Sequence, residues 1–372
     1  MSEGRVSFRS THVEVDLDAI AHNVRALACE GVGFMAVVKA DAYGHGAPEV
    51  ARACVGAGAA WLGVALVEEG LLLRAEGIDS PIMVLSEFPP GAEAEALAAG
   101  LTPVLASAPG LHRLAAVTGA TASGIAVHVK VDTGMHRLGV WPPREAPAFV
   151  TQVVSAGFGL GGLWTHFARS EEDASTTKDQ LDRFLDVVDA VRDAGHEPTM
   201  LHTANTAATI LHPEARLDLV RVGIGIYGIE PAPGVGTSLG LRPALSWRSS
   251  VTMVKRLAAG ERISYGHRYE LDRDAWIAVV PVGYADGYPR SLSSNADVLI
   301  AGRRCRVAGN VTMDQLMVDC GELQPSLGEE VVLLGQQGDD MITAHELGDR
   351  AGTIAYEILA RIGARVPRRY RP

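Results

Sequence analysis

An apolar run, Phe34 to Val38, ends on Lys39. An amine at the rim of an apolar wall has its charged form disfavoured, so its pKa falls and a neutral nucleophile becomes available. That is the form Schiff-base chemistry needs. A lysine snorkelling to solvent from a strand end is the plain alternative. The same placement recurs along the chain. Lys130 and Asp132 lie near the end of another apolar run, with Arg137 just beyond it. His166 ends a further run, His202 lies within the next, and Arg221 sits in the last. An apolar core does not favour unpaired charge, so this series reads as a site rather than as scattered surface residues.

The elements that must position these residues are eight strand-like runs: 34–39, 61–66, 82–86, 101–107, 124–132, 160–166, 199–203 and 217–222. The connecting segments read as helices. In the clearest, Lys178 to Ala194, Leu181, Phe184, Leu185, Val188 and Val191 recur at helical spacing and Gly195 supplies a stop. Alternation of this kind predicts an α/β fold, a (β/α)8 TIM-type barrel over 1–240, with working groups at the C-terminal ends of its strands. From about Leu241 the chain alternates apolar and polar residues between turns, which predicts a mostly β C-terminal domain over 241–372. The strand-like segment 11–18 is a candidate to pack with that second domain.

A chain of 372 residues accommodates two domains and buries a core without disulfides or metals. Its four cysteines, Cys29, Cys54, Cys305 and Cys320, match no zinc spacing and read as reduced thiols, so no metal site is expected. No apolar run reaches the roughly 18 residues that span a bilayer, and the N-terminus lacks the pattern of a signal peptide. A cytoplasmic protein with no membrane partner is therefore expected. The net charge of −11 argues against nucleic-acid binding but leaves room for a local basic pocket.

The string AVVKADAYGHG (36–46) resembles the pyridoxal 5′-phosphate (PLP) lysine motif of alanine racemases. The resemblance continues through KVDTGMHRLGV (130–140), LWTHFARSEE (163–172), HTANTAA (202–208) and RVGIGIYG (221–228). It extends to ISYGHRY (263–269), VPVGYADGYPR (280–290), VTMDQLMVD (311–319) and RVPRRY (365–370). Matches of this number, in order and across both domains, are highly specific. The family's barrel followed by a β domain agrees with the change of texture near Leu241.

The resemblance implies that PLP forms a Schiff base on Lys39, and that L-alanine and D-alanine are interconverted by two-base proton transfer to supply D-alanine for peptidoglycan. Lys39 would be one acid/base group and Tyr265 the other, on opposite faces of the cofactor. His166 would hydrogen-bond Tyr265, and Arg221 would support His166 and face the pyridine nitrogen. Tyr43, Thr206, Gly223, Ile224 and Tyr356 would hold the phosphate. Asn205 and His202 would form a supporting shell, His202 being equally readable as a satisfied core histidine. Arg137 and the Met313 amide would meet the substrate carboxylate, with Tyr284 nearby, and Lys130 matches a lysine carbamylated in many members. The family also implies a homodimer whose active sites are shared, each barrel receiving Tyr265, Tyr284 and Met313 from the other copy. Three departures stand out: Thr206 for the usual serine, His136 for a frequent glycine and Asn310 for a frequent arginine. Rival readings are a serine or broader-specificity racemase, a non-enzymatic PLP-binding barrel and a PLP decarboxylase. The second β-rich domain and Tyr265 count against the non-enzymatic barrel. Arg221 and Thr312 stand where a decarboxylase would want a carboxylate and a cysteine.

Overall fold

The computed structural model describes residues 8–372. The chain forms two compact units: residues 19–42 with 47–242, and residues up to Asp18 with 43–46 and 243–372.

The first strand, β1 (His12–Asp16), belongs to the second of these units. The other unit is the barrel. Its strands are β2 (Gly33–Val37), β3 (Trp61–Val64), β4 (Ile82–Val84), β5 (Leu101–Thr102), β6 (Val104–Leu105), β7 (Ala126–Lys130), β8 (Gly159–Trp164), β9 (Leu201–His202) and β10 (Leu219–Val222). They pair in parallel in the orders β10-β2-β3-β4-β5 and β6-β7-β8-β9. Pro103 has no N–H to continue a ladder, and it splits the fourth expected strand into β5 and β6. At the other seam, Asp218 N–H donates to the Leu201 carbonyl (3.0 Å) and Arg221 N–H to that of Ala204 (2.9 Å). Eight strand positions thus close into a barrel, each overlapping one of the eight apolar runs, with β2 and β8 starting one residue earlier, at Gly33 and Gly159. Met35, Met83, Val104, Trp164 and Leu219, from five of those positions, fill its interior, so it is a packed core and not a pore.

The expected helix at 178–194 is longer, Ala174–Asp193. It starts earlier because the Asp173 carboxylate accepts from the Ser175 and Thr176 amides at 3.0 and 3.1 Å, an N-cap that helical periodicity does not reveal. Gly195 follows its end with φ +84°, the left-handed stop that glycine allows.

Lys39 does not extend its strand. β2 stops at Val37, and Lys39 opens a turn in which Ala40, Asp41, Ala42 and Tyr43 all have φ of +52 to +53°. This left-handed conformation costs about 1–2 kcal/mol per L-residue, so neighbouring groups must sustain it. The Glu69 carboxylate accepts from the amides of Ala40 (2.6 Å), Ala65 (2.8 Å) and Leu66 (3.1 Å). The Asp41 carboxylate accepts from the Ala47 amide at 2.9 Å, and Ala42 N–H donates to the Val38 carbonyl at 2.9 Å.

The second unit is built on a ten-stranded sheet. In chain order its remaining strands are β11 (Leu245–Ser250), β12 (Met253–Leu257), the hairpin β13 (Arg262–Ile263) with β14 (Tyr269–Glu270), β15 (Ala275–Val280), β16 (Asp297–Ile300), β17 (Arg303–Val307), β18 (Leu316–Asp319), β19 (Glu330–Gln337), β20 (Asp340–Ile342) and β21 (Arg368–Arg371). The hairpin stands apart as its own two-stranded sheet. β1 joins the large sheet between β11, antiparallel, and β21, parallel. Among the described residues, no helix is long and apolar enough to cross a membrane.

Ala40 is exposed and its methyl makes the left-handed turn harder to hold. Ala40→Gly is expected to stabilise the chain by about 1 kcal/mol, read as a higher thermal unfolding midpoint; a lower midpoint would contradict the strain argument.

Candidate active site

Arg221 projects from β10 and is 3% exposed. Its guanidinium donates to the carbonyls of Thr165 (2.7 Å), His202 (2.9 Å) and Thr203 (2.9 Å), groups that become available where β8 and β9 end. It also meets two imidazoles, His202 Nδ1 at 3.1 Å and His166 Nδ1 at 3.3 Å. A guanidinium only donates, so both Nδ1 atoms accept and both rings carry their proton on Nε2. His202 Nε2–H then donates to His128 Nδ1, 2.9 Å away. Burial, then the Arg221 charge, holds all three imidazoles neutral: His166 and His202 lie well below the ordinary histidine value and His128 is pushed down to about 4. The His128 ring fits because β8 carries two glycines. A Cβ on Gly162 would lie 2.4 Å from His128 Nδ1, and one on Gly161 3.4 Å from Nε2. Trp164 stacks on His202 with centroids 5.4 Å apart, and the Arg221 guanidinium lies 4.7 Å over the indole.

Two lysines share this environment. Lys130 ends β7, is 4% exposed and holds its amine 4.3 Å over Trp164. Burial and the charges of Arg221 and Arg137 push its pKa down to about 7, against a smaller opposing effect of Asp132. The Lys39 amine is lowered by burial and by Arg137, with Glu69 opposing. Burial brings Arg221 down to about 9, which still leaves it charged at neutral pH. Lys39, Lys130, Arg137 and Arg221 all act on His166. One Asp132 oxygen accepts from the amides of Gly134, Met135 and His136, each at 3.0 Å. That turn places His136 at φ +53°, a conformation glycine adopts freely, and its ring sits edge-on to Trp141 at 4.6 Å. Lys39, Lys130, Arg137 and Arg221, with Glu69 and Asp132 opposing, give this part of the barrel a positive field in which both lysine amines are held below their ordinary value.

Gly223 N–H donates to Thr206 Oγ1 at 3.0 Å, which joins two of the residues expected at a phosphate. Ile224 follows, buried, and a Cβ on Gly225 would lie 2.8 Å from the Thr206 methyl. Asn205 caps the helix Thr206–Leu211: its side-chain oxygen accepts from the Ala208 amide (2.9 Å) and the Ser170 hydroxyl (2.8 Å).

The remaining candidates belong to the β-rich unit. The Tyr43 and Tyr356 rings lie 6.2 Å apart, and burial raises the Tyr43 phenol to about 12. The loops bearing Tyr284 and Met313 are locked together: Tyr284 N–H donates to Thr312 O and Ala285 N–H to Met313 O, each at 3.0 Å. Gly283 permits this approach, since its Cβ would lie 2.3 Å from both oxygens. Within the single chain Tyr265, Met313 and Tyr284 are 75%, 53% and 39% exposed.

Sequence reasoning did not single out His128, Trp164 or Glu69. His128 had a signal: it lies two residues before Lys130 on one strand, so both side chains point to the same face. Glu69 had none near Lys39, being 30 positions away.

A barrel whose strand ends carry a buried lysine–arginine–histidine cluster, with a separate β-rich unit, defines a two-unit α/β-barrel enzyme. Comparison with known proteins gives the family. The family model described as "Alanine racemase, N-terminal domain" matches residues 15–231, and "Alanine racemase, C-terminal domain" matches 244–370. The alanine racemase of Symbiobacterium thermophilum is 47% identical over 369 residues, covering 97% of each chain. The crystal structure of alanine racemase from D-cycloserine-producing Streptomyces lavendulae aligns with a TM-score of 0.94 at 41% identity, over 99% of this chain and 98% of that one. That of Bacillus anthracis with bound L-Ala-P aligns at 0.93 and 36% identity, over 99% and 96%. The chain belongs to the alanine racemase family, a family of isomerases.

His128 titrates near 4 when folded and near 6.5 when unfolded. Between these values the unfolded chain binds one more proton, so stability contributed by the neutral ring is full above pH 6.5 and falls as the pH drops toward 4. The loss is on the order of 3 kcal/mol. His128→Gln should flatten the pH dependence of the denaturation midpoint by that amount; an unchanged profile would show that His128 does not titrate there.

Proposed function

We propose that this chain interconverts L-alanine and D-alanine with PLP attached at Lys39. The observation that carries this reading is the convergence of Lys39, Lys130, Arg137 and Arg221 on His166, with Lys130 and Arg221 buried, which fits an anionic cofactor together with a substrate carboxylate. The amine of Lys39, lowered by burial, is suited to join the cofactor's aldehyde carbon. Thr206, Gly223, Ile224, Tyr43 and Tyr356 would hold the phosphate, and Arg137 with the Met313 amide would hold the substrate carboxylate. Once bound, PLP supplies an electron sink for the carbanion formed when alanine loses its α-proton.

The chain's own residues divide the remaining work. We assign Lys39 to the face from which the D-alanine proton leaves and Tyr265 to the opposite face, that of L-alanine. An unperturbed phenol titrates near 10, so Tyr265 needs a donor to act as a base. The Nε2–H of His166, set by Arg221, is the donor we assign to it. Arg221 would face the ring nitrogen of the bound cofactor as a group that is not deprotonated in practice, and would offer that nitrogen a hydrogen bond rather than a proton. We assign Tyr265, Tyr284 and Met313 to the barrel of a second copy, making the active form a homodimer; their exposure on the single chain supports this. The product would supply D-alanine for peptidoglycan, and the four free cysteines suit a cytoplasmic setting. The relatives compared are alanine racemases, and no feature of the site favours serine or a wider range.

Borohydride reduction of the holoenzyme should fix the cofactor on Lys39, and a panel of L and D amino acids followed by optical rotation should show loss of rotation with alanine foremost. Label on another lysine, or no racemisation of alanine, would overturn the reading.

We also assign Lys130 as a carbamate. With its pKa near 7, much of the amine is neutral at physiological pH. Its nitrogen can attack carbon dioxide and release one proton, leaving an anion among the cations Arg137 and Arg221. Protein equilibrated with 13C-bicarbonate should show a carbamate carbon resonance that Lys130→Ala lacks; a resonance that survives the substitution would place the group elsewhere.

A further inference from the structure

The loop that carries Tyr265 is strained. Ser264 has φ +66° and ψ −178°, a region of the backbone that is essentially reserved for glycine. Gly266 follows at φ +75° and His267 at +48°. Strain of this kind persists only where the surroundings over-determine it. The hairpin of β13 and β14 supplies one anchor: Ile263 and Leu271 pack with Ala275, Ile277 and Ala308, and the Tyr269 hydroxyl donates to the Asp319 carboxylate at 2.8 Å.

The second anchor is Asn310, which is 9% exposed. Its side-chain amide donates to the Tyr265 carbonyl at 2.7 Å, and its own carbonyl accepts from the Ser264 hydroxyl at 2.8 Å. One residue therefore holds both sides of the Ser264–Tyr265 peptide. The approach is close enough to exclude a side chain at the neighbouring position: a Cβ on Gly309 would lie 2.7 Å from both the Ile263 carbonyl oxygen and the Ser264 Cβ. The segment is in turn fixed by two serines. Ser294 Oγ accepts from the Gly309 amide and Ser293 Oγ from the Val311 amide, each at 3.0 Å. Tyr265 itself remains 75% exposed, so the polypeptide holds the loop's backbone while leaving the residue open to solvent in the single chain.

We infer that Asn310 is a positioning residue for Tyr265, its amide fixing the strained loop so that the phenol is presented in one orientation. The inference rests on the proposed role of Tyr265 in proton transfer. The acceptor is a carbonyl oxygen, so only a donor at this position makes the bond. A carboxylate of the same shape sets two acceptors against each other, and a methyl leaves the carbonyl without its partner. Either change frees the loop without touching the lysine side of the site.

The test compares Asn310→Asp, Asn310→Ala and Ser264→Ala holoenzymes with Tyr265→Phe. Two quantities are measured in deuterium oxide: racemisation, and exchange of the α-proton of D-alanine with solvent through Lys39. The Asn310 variants should lose about tenfold in racemisation turnover, as small misplacements of a reacting group do, with KM for alanine little changed. D-alanine should keep exchanging its α-proton, so the ratio of exchange to racemisation rises toward that of Tyr265→Phe. Ser264→Ala should shift the ratio in the same direction, and it decides the matter if the Asn310 variants do not fold. Variants that match the parent, or that lose exchange and racemisation in proportion, overturn the positioning role. If Tyr265→Phe itself racemises normally, the role of Tyr265 fails instead.

Discussion

Taking a guanidinium out of water costs several kcal/mol unless its donors are satisfied, and the way Arg221 meets that demand organises the barrel mouth. It is satisfied by backbone carbonyls and imidazole nitrogens rather than by a carboxylate. The Thr165 and Thr203 carbonyls lie just beyond the ends of β8 and β9, where the parallel ladder stops, and the His202 carbonyl, the last of β9, also accepts from the Thr165 amide at 3.4 Å. Because the arginine can only give protons, it dictates the tautomers of His166 and His202, and through His202 that of His128. A carboxylate in its place would reverse every donor in this chain of contacts. The positive charge also goes unneutralised, and this depresses Lys130 and reaches His166. One side chain therefore sets both the direction of the hydrogen bonds and the field in which the lysines titrate.

Backbone strain appears at both residues assigned to proton transfer, and in neither case does glycine relieve it at the critical position. Lys39 is followed by four left-handed L-residues, and Tyr265 is preceded by Ser264 in a glycine-only region. Each is sustained by a polar side chain distant in sequence: Glu69 accepts the Ala40 amide, and Asn310 donates to the Tyr265 carbonyl. The common device is a hydrogen bond to the peptide adjoining the functional residue. It leaves the reactive amine or phenol unencumbered and fixes the direction from which it emerges.

This division explains what could be read from sequence. The barrel was legible because each strand position is an apolar run bounded by turns or helical periodicity, and a parallel ladder buried on both faces demands that pattern. Lys39, Lys130, Arg137, His166 and Arg221 were legible because charge is conspicuous at the ends of such runs, and the structure brings these five together. The turn after Lys39 was not legible: Ala40, Asp41, Ala42 and Tyr43 carry no glycine to announce positive φ, and the group that holds them is Glu69. His128 was equally hidden, since the space for its ring comes from Gly161 and Gly162 on the neighbouring strand. Asn310 could be seen only as a departure from the family pattern; its contact with Tyr265 depends on a pairing some 45 residues long in sequence. Helix 174–193 shows the same limit on a small scale, its start being set by a cap rather than by periodicity.

The charge of the chain and the charge of its site have opposite signs, and only the second bears on ligand affinity. A net charge of −11 repels anions at long range, but that field is screened within about 8–10 Å at physiological salt. Alanine at neutral pH is a zwitterion and feels little of it. Lys130 and Arg221 at the barrel mouth are buried, where screening is weak. Their repulsion is a cost that folding bears in the absence of an anion, and it is released when one binds. An anion that binds there meets a guanidinium held by carbonyls and imidazoles, whose charge those neutral partners leave in place.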